Sequence, residues 1–337
     1  MSEYIEIKGT NIEVVTSDPS NPQNGQIWFN STSNKIKLNK ITTSGSWASA
    51  SLLGTNRRQS AGAGTQTAAL NAGGTSGPPA KSNATEEYDG SSWTAGGNIG
   101  TARDNQRGCG VQTAALIVGG DGPGPVVSPN KQDAVEEYDG SSWTNGGSYP
   151  AVMRGIGVSG TQTAGLAFGG NPWNANTYEY NGSSWTAGGN YPTPVDRLMG
   201  AGTQTAGLGW GGFSPSLPGI FDTSNEYDGS SWTAGGTLPA GKVLSCSSGT
   251  QTAAFSAGGG TTSFGSTDTF VYDGSTWTSD TNIPVPYASG QGAQNAPSTS
   301  SMLFGGLANN NTNTSANHNV WEFNGAGAGI VETVTSS

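Results

Sequence analysis

The chain has 337 residues, enough for two ordinary domains or one large all-β unit, with a formal net charge of −10 and 11% charged residues. The acidic balance argues against nucleic acid or an anionic membrane surface as the main partner, and no run of about 18 apolar residues is present to span a bilayer. Fifty-five glycines would suit a linker, but 10 Trp, 10 Tyr and 9 Phe recur at regular intervals that a disordered segment has no reason to keep.

In chain order, "MSEYIEIKGTNIEVV" lacks the basic and apolar regions of a signal peptide, so synthesis in a cytoplasm is expected. Residues 1–45 combine that alternating segment, a Pro-rich "SDPSNPQNG" and "QIWFNSTSNKIKL", which predicts a hairpin about "NSTSN". From residue 46 onward the chain repeats itself. Trp47, Trp93, Trp143, Trp185, Trp232 and Trp277 follow one another at intervals of 42 to 50 residues. In step with them run "GTQTAALNAGG" and its copies, the last worn to "SSMLFGG", and a Tyr-Asp-Gly element at Tyr88, Tyr138, Tyr180, Tyr227, Tyr272 and, as Phe-Asn-Gly, Phe323.

Each unit reads as four short strands. A Gly-rich strand turns at Thr-Gln into "TAALIVGG" or its like, a variable loop leads to "VEEY", and Asp-Gly turns the chain into "SSWT". Tyr88 and Trp93 keep the same parity across that turn and are expected to pack on one face. Four-stranded units of about 40 to 50 residues predict a β-propeller.

The Gly-Gly doublet closing an apolar strand, followed by Tyr and then Trp, resembles the kelch repeat over residues 47 to 325. The Tyr-to-Trp interval is shorter than the kelch pattern, and "DGSSW" is one residue too short for the Asp-box of sialidase-like propellers. The ends of the series are complementary: Phe323 has no Trp after it, and Trp47 has no Tyr before it. The reading is an all-β, six-bladed kelch-like β-propeller over 46–325, whose last blade takes its outer strand from around Trp47. The small β element at 1–45 precedes it and a C-terminal strand or tail, 326–337, follows. Cys109 and Cys246 fall on opposite blades, too far apart for a disulfide, and are expected to be free and buried.

"NGQIWFNSTSNKIKL" resembles an element of bacteriophage tail-fibre and other virion proteins, and the "GTQTAAL…YNGSSWTAGG" arrays resemble those of phages of marine bacteria. That resemblance implies a virion protein assembled in the bacterial host cytoplasm and attached to other virion proteins through its N-terminal element. From the charge balance and the lack of a long apolar run, no membrane insertion and no nucleic-acid partner are expected.

Catalytic material is scarce. His318 is the single histidine, which cannot build the usual zinc, copper or non-haem iron sites. Arg58, Arg103, Arg107, Arg154 and Arg197 precede or open the inner strands and keep a sialidase-like reading alive. Asp89, Asp139, Asp228 and the repeated glutamates suit turns better than Ca²⁺. Six glutamines (Gln66, Gln112, Gln162, Gln204, Gln251 and Gln294) read as turn caps. The turns barely vary, whereas the loops on the opposite face differ in every unit, as recognition loops do. Trp173, Phe213 and Phe221 on those loops are the candidate ligand-binding residues, suited to stacking on sugar rings. The expectation is a non-enzymatic tail fibre or adhesin that recognises a host-surface glycan without a cofactor or metal. A capsid-decorating or connector protein and a glycan-acting enzyme are the alternatives.

Overall fold

The computed structural model describes residues 12–20, 26–41, 44–77, 80–123, 131–215, 219–260, 265–308, 316–325 and 329–333. The chain divides into two compact units, 1–46 with 324–337, and 47–323.

In the first unit Glu13–Val15, Ile27–Asn30, Lys35–Ile41 and Gly329–Thr333 form one sheet in that order. The first pair is parallel and the others antiparallel. The hairpin turns at Asn34, φ 54°, and Asn30 Oδ1 accepts the Thr32 and Ser33 N–H groups. Trp28 and Asn30, two residues apart on one strand, share a face. Both donate to Asp18 Oδ1, at 2.9 and 2.7 Å, which holds the Asp18 carboxyl below its ordinary range. This clamp gives Trp28, with no exposed surface, its indole partner. The strand Gly329–Thr333 pairs with Lys35–Ile41, so this C-terminal segment joins the N-terminal sheet.

The second unit is all-β and β-propeller-like, with no helix among the described residues. The first of its four-stranded sheets holds Ala61–Thr65, Ala68–Ala72, Thr85–Tyr88 and Trp93–Gly96. The second holds Arg107–Val111, Ala114–Val118, Val135–Tyr138 and Trp143–Asn145. The third holds Gly157–Thr161, Ala164–Phe168, Thr177–Tyr180 and Trp185–Ala187. Met199–Gly202, Gly207–Trp210, Ser224–Tyr227 and Trp232–Ala234 make the fourth. Cys246–Thr250, Ala253–Ala257, Thr269–Tyr272 and Trp277–Asp280 make the fifth. The sixth runs in the order Gln291–Gly292, Ser300–Phe304, Val320–Asn324 and Ser46–Ser49. The innermost strand of each sheet touches that of the next, and Gln291–Gly292 touches Ala61–Thr65. The apolar core lies between sheets: Leu70 and Ala72 of the first meet Ala115, Ile117 and Tyr138 of the second.

Within a sheet the outer hairpin follows from its letters. Asp139 Oδ1 accepts the N–H groups of Ser141 and Ser142 at 2.8 Å, Gly140 takes φ 92°, and Tyr138 faces Trp143 directly, ring centroids 4.8 Å apart. Three donors then reach back to the preceding sheet. Gln112 Nε2 donates to the carbonyls of Ala69 and Tyr88 at 3.0 and 2.7 Å. The Tyr138 hydroxyl donates to the Glu87 carboxylate, and Trp143 Nε1 to Thr85 Oγ1 at 2.9 Å. The same set joins third to second through Gln162, Tyr180 and Trp185. First and sixth are joined by Gln66 on the carbonyls of Ser301 and Phe323 and by Tyr88 on Glu322.

Between sixth and fifth the set thins in a matched way. Phe323 stands where the other sheets have tyrosine, and Val271 stands where the fifth would offer a glutamate; both pack with Trp47, whose ring lies 5.0 Å from that of Phe323. Trp47 Nε1 still donates to the Thr281 carbonyl at 2.8 Å.

Tyr138→Phe is expected to cost about 1.5–3 kcal/mol, the range for a hydrogen bond to a charged group. Adding Glu87→Val, which copies the Val271–Phe323 pair, should recover part of that loss. Urea unfolding of the four proteins measures it, and strictly additive effects would contradict the coupling. Burial, reinforced by Glu87, pushes the Tyr138 phenol up to about 12. The hydrogen bond's contribution is full below the ordinary tyrosine pKa and is lost as pH rises from there through about 12.

Candidate functional site

Two ends of the second unit differ in chemistry. At the turn end, the Thr-Gln and Asp-Gly turns of one sheet adjoin: a Cβ added to Gly90, Gly140, Gly182 or Gly229 would meet Thr67, Thr113, Thr163 or Thr205 at 3.4 Å. Its carboxylates are engaged. Asp89, Asp139, Asp228 and Asp273 each accept N–H and hydroxyl donors from the next two or three residues. Those hydrogen bonds hold all four down at about 2. Asn181 does the same work with an amide. Among the described residues no group of three or more His, Cys, Asp and Glu is placed to hold a metal ion.

Five of the six glutamines, expected to cap turns, instead donate to strand carbonyls of the preceding sheet. Gln294 differs. Its Nε2 donates to the carbonyls of Val158 and Gly200, on the third and fourth sheets, and Ser247 Oγ donates to its Oε1 at 3.2 Å. The carboxamide therefore lies where the innermost strands meet.

At the loop end, the residue two places before each innermost strand is left-handed: Gln59, Asn105, Gly155, Arg197, Leu244 and Ser289 have φ of 55 to 62°. Their backbones link sheet to sheet. Asn105 N–H donates to the Gln59 carbonyl, Gly155 to Asn105, Arg197 to Gly155, Ser289 to Leu244 and Gln59 to Ser289, at 2.7 to 3.2 Å. Five non-glycine residues accept an unfavourable φ because these bonds hold them there.

Around this circle stand paired charges. Arg154 Nη1 lies 2.7 Å from Asp121 Oδ2, Lys81 Nζ 3.2 Å from Asp104 Oδ1, and Arg197 Nε 3.8 Å from Asp196 Oδ2. Burial raises the carboxyls of Asp104 and Asp196, against the pull of Lys81 and Arg197. Trp173 is 44% exposed and close enough to Asp196 to help lower its carboxyl, and Asn171 Nδ2 donates to Asp196 Oδ2 at 3.2 Å. The Arg197 guanidinium sits 5.5 Å over the Phe213 ring. Trp173 and Phe213 are thus brought together about the Asp196–Arg197 pair. Phe221 lies on the strand-like segment beside Phe213, but its ring packs on the apolar cluster of Tyr191, Val195 and Leu198. The arrangement offers aromatic faces beside oriented donors and acceptors, which suits a polar, ring-shaped ligand. Residues 124–130, 216–218, 261–264 and 309–315 of the variable loops lie outside the described residues.

The arginines singled out in the sequence divide. Arg58 pairs with Thr75 through its backbone, and its Nε has no acceptor. Arg103 is buried in an ion pair with Glu136; Arg154 and Arg197 stand at the loop end, each beside an aspartate; Arg107 opens the innermost strand of the second sheet. His318 contributes its backbone carbonyl to the Leu53 N–H. Cys109 and Cys246 are free and buried. Sequence reasoning overlooked Arg57, whose guanidinium pairs with Glu86 as Arg103 does with Glu136. The signal was present in the repeats, because Arg57 and Arg103 precede the two units that carry "EEY".

Asp139→Asn is expected to leave the hairpin and its stability nearly unchanged, as the natural Asn181 implies. An NMR titration of the wild type should find the Asp139 midpoint near 2, with the group's contribution present above the ordinary carboxylate pKa and lost as pH falls through that midpoint. An ordinary midpoint would refute the engaged carboxylate. No family model matches this chain, and no curated protein is similar to it.

Proposed function

We propose that residues 46–325 form a six-bladed kelch-like propeller whose last blade is completed by Ser46–Ser49, and that it is a non-enzymatic recognition module of a bacteriophage virion. On this reading the protein is a tail-associated fibre or adhesin. The element around Trp28 attaches it to other virion proteins, and the loop end contacts a host-surface glycan. The single observation that carries the recognition reading is the contrast between the two ends. The turn end repeats one self-satisfied hairpin, Asp or Asn on Ser or Thr. The loop end gathers an exposed Trp173 and a cation-capped Phe213 around Asp196, on loops whose sequences differ in each unit. The virion context rests on the resemblance of residues 24–38 and of the repeat arrays.

The purified chain is expected to bind host cells or their extracted polysaccharide, and Trp173→Ala to weaken that binding about tenfold while leaving the unfolding midpoint in place. A tenfold loss corresponds to about 1.4 kcal/mol, a modest share for one stacking aromatic. Absence of binding, with copies on the capsid lattice in a particle map, would replace this reading with capsid decoration. Release of reducing sugar from the polysaccharide would overturn the non-enzymatic assignment.

A further inference from the structure

The innermost strands bring one unmatched charge to the centre of the second unit. Arg107 pairs with Val118, the residue before a Gly-Gly doublet. Ala61, Gly157, Met199, Cys246 and Gln291 hold the corresponding place in the other sheets, opposite Ala72, Phe168, Trp210, Ala257 and Phe304. Five of these six side chains are uncharged. Arg57, Arg103, Arg154 and Arg197 each stand beside a carboxylate; among the described residues the half-buried Arg107 guanidinium has no hydrogen-bond or ion-pair partner.

Arg107 and the Cys246 thiol, which stand at the same register level on the second and fifth sheets, act on each other electrostatically. Burial lowers the guanidinium only to about 10, which leaves it charged at neutral pH. Burial also raises the thiol, against the pull of Arg107, so Cys246 supplies no counter-charge.

The innermost strands close the centre beneath the level of Arg107. One register step deeper, the Gln294 carboxamide closes the centre with its own hydrogen bonds satisfied by Val158, Gly200 and Ser247. At that depth the strands press together: a Cβ on Gly108 would lie 2.8 Å from the Gly62 carbonyl, and one on Gly200 2.6 Å from that of Val158. At the level of Arg107, Gln291 is 6% exposed and its buried Nε2 has no acceptor. A charge and an amide donor thus stand unsatisfied at one level, below the circle of left-handed residues. A half-buried guanidinium without a protein partner keeps unmet donors, and an oxyanion would meet them with charge-assisted hydrogen bonds.

We propose that this level of the innermost strands, above Gln294, is an anion-binding subsite in which Arg107, with the amide of Gln291, holds one oxyanion group, a carboxylate or a sulfate. The narrow floor admits a single group. The subsite does not rest on the host-recognition reading: free-anion binding without glycan binding would sustain the one and sink the other.

The test follows thermal unfolding of the full chain in sodium acetate, sodium sulfate and sodium chloride at matched ionic strength, with Arg107→Met and Arg154→Met alongside. Wild type and Arg154→Met are expected to show a saturable rise in Tm with acetate or sulfate beyond that in chloride. Arg107→Met should lose the saturable part and, having shed an unpaired charge, start from a higher Tm at low salt. The anion with the lower half-saturation concentration identifies the preferred chemistry. A merely linear rise in all three proteins is the general effect of salt exclusion and would overturn the proposal. A saturable rise retained by Arg107→Met would overturn it equally. Crystals soaked in selenate give the direct reading: an anomalous peak beside Arg107 supports the site, and peaks only elsewhere refute it.

Discussion

Every sheet of the larger unit has to present its polar edges to another sheet, and the structure depends on how those edges are matched. A face covered by a neighbour cannot leave carbonyls or indole donors unpaired without a cost of about 1–3 kcal/mol each. The solution is directional. Glutamine amide, tyrosine hydroxyl and tryptophan indole all reach back to the preceding sheet, as Gln112, Tyr138 and Trp143 do to the first. Because Gln66 and Tyr88 of the first sheet reach the sixth in the same way, the rule has no privileged starting point. The exception obeys the same logic: where Phe323 cannot donate, Val271 does not need to accept.

The buried cations follow a related complementarity. Arg57 pairs with Glu86 and Arg103 with Glu136, whereas Met153 and Tyr178 meet as apolar surface in the third sheet. Lys242 in the fifth lies over the Phe270 ring at 5.2 Å and contacts Asp268 at 2.6 Å. In these four units one side chain before the innermost strand thus meets one on the third strand. Buried ion pairs add little net stability against apolar replacements, whereas removing one partner alone would leave an uncompensated buried charge. Repeats that match too well risk mispairing, and such local differences oppose it.

Much of this was legible in the letters. Strand pairs, hairpin turns and the shared face of Tyr88 and Trp93 follow from parity and from Asp-Gly, since short-range geometry alone decides them. The two incomplete copies pointed to the strand order of the sixth sheet, in which Ser46–Ser49 lies beside Val320–Asn324. Less legible was anything that depends on which side chains converge from distant units. Trp173 and Phe213 could be marked as loop aromatics, but their meeting about Asp196 and the diversion of Phe221 into the core depend on contacts between the third and fourth sheets.

By itself the sequence determined the all-β class, the repeat, the hairpin chemistry and the freedom of both cysteines, because each rests on near neighbours or on the phase of a period. Only the tertiary structure decided the rest. Five glutamines cap a neighbouring sheet while Gln294 fills the centre, and Gly329–Thr333 joins the sheet of Trp28. Of the five arginines marked in the sequence, three pair with a carboxylate, while Arg58 and Arg107 have no side-chain partner among the described residues. The reason is common to all three: a residue's partner is set by the packing of elements separated along the chain, and no local rule specifies which of several equivalent donors will find its acceptor already taken.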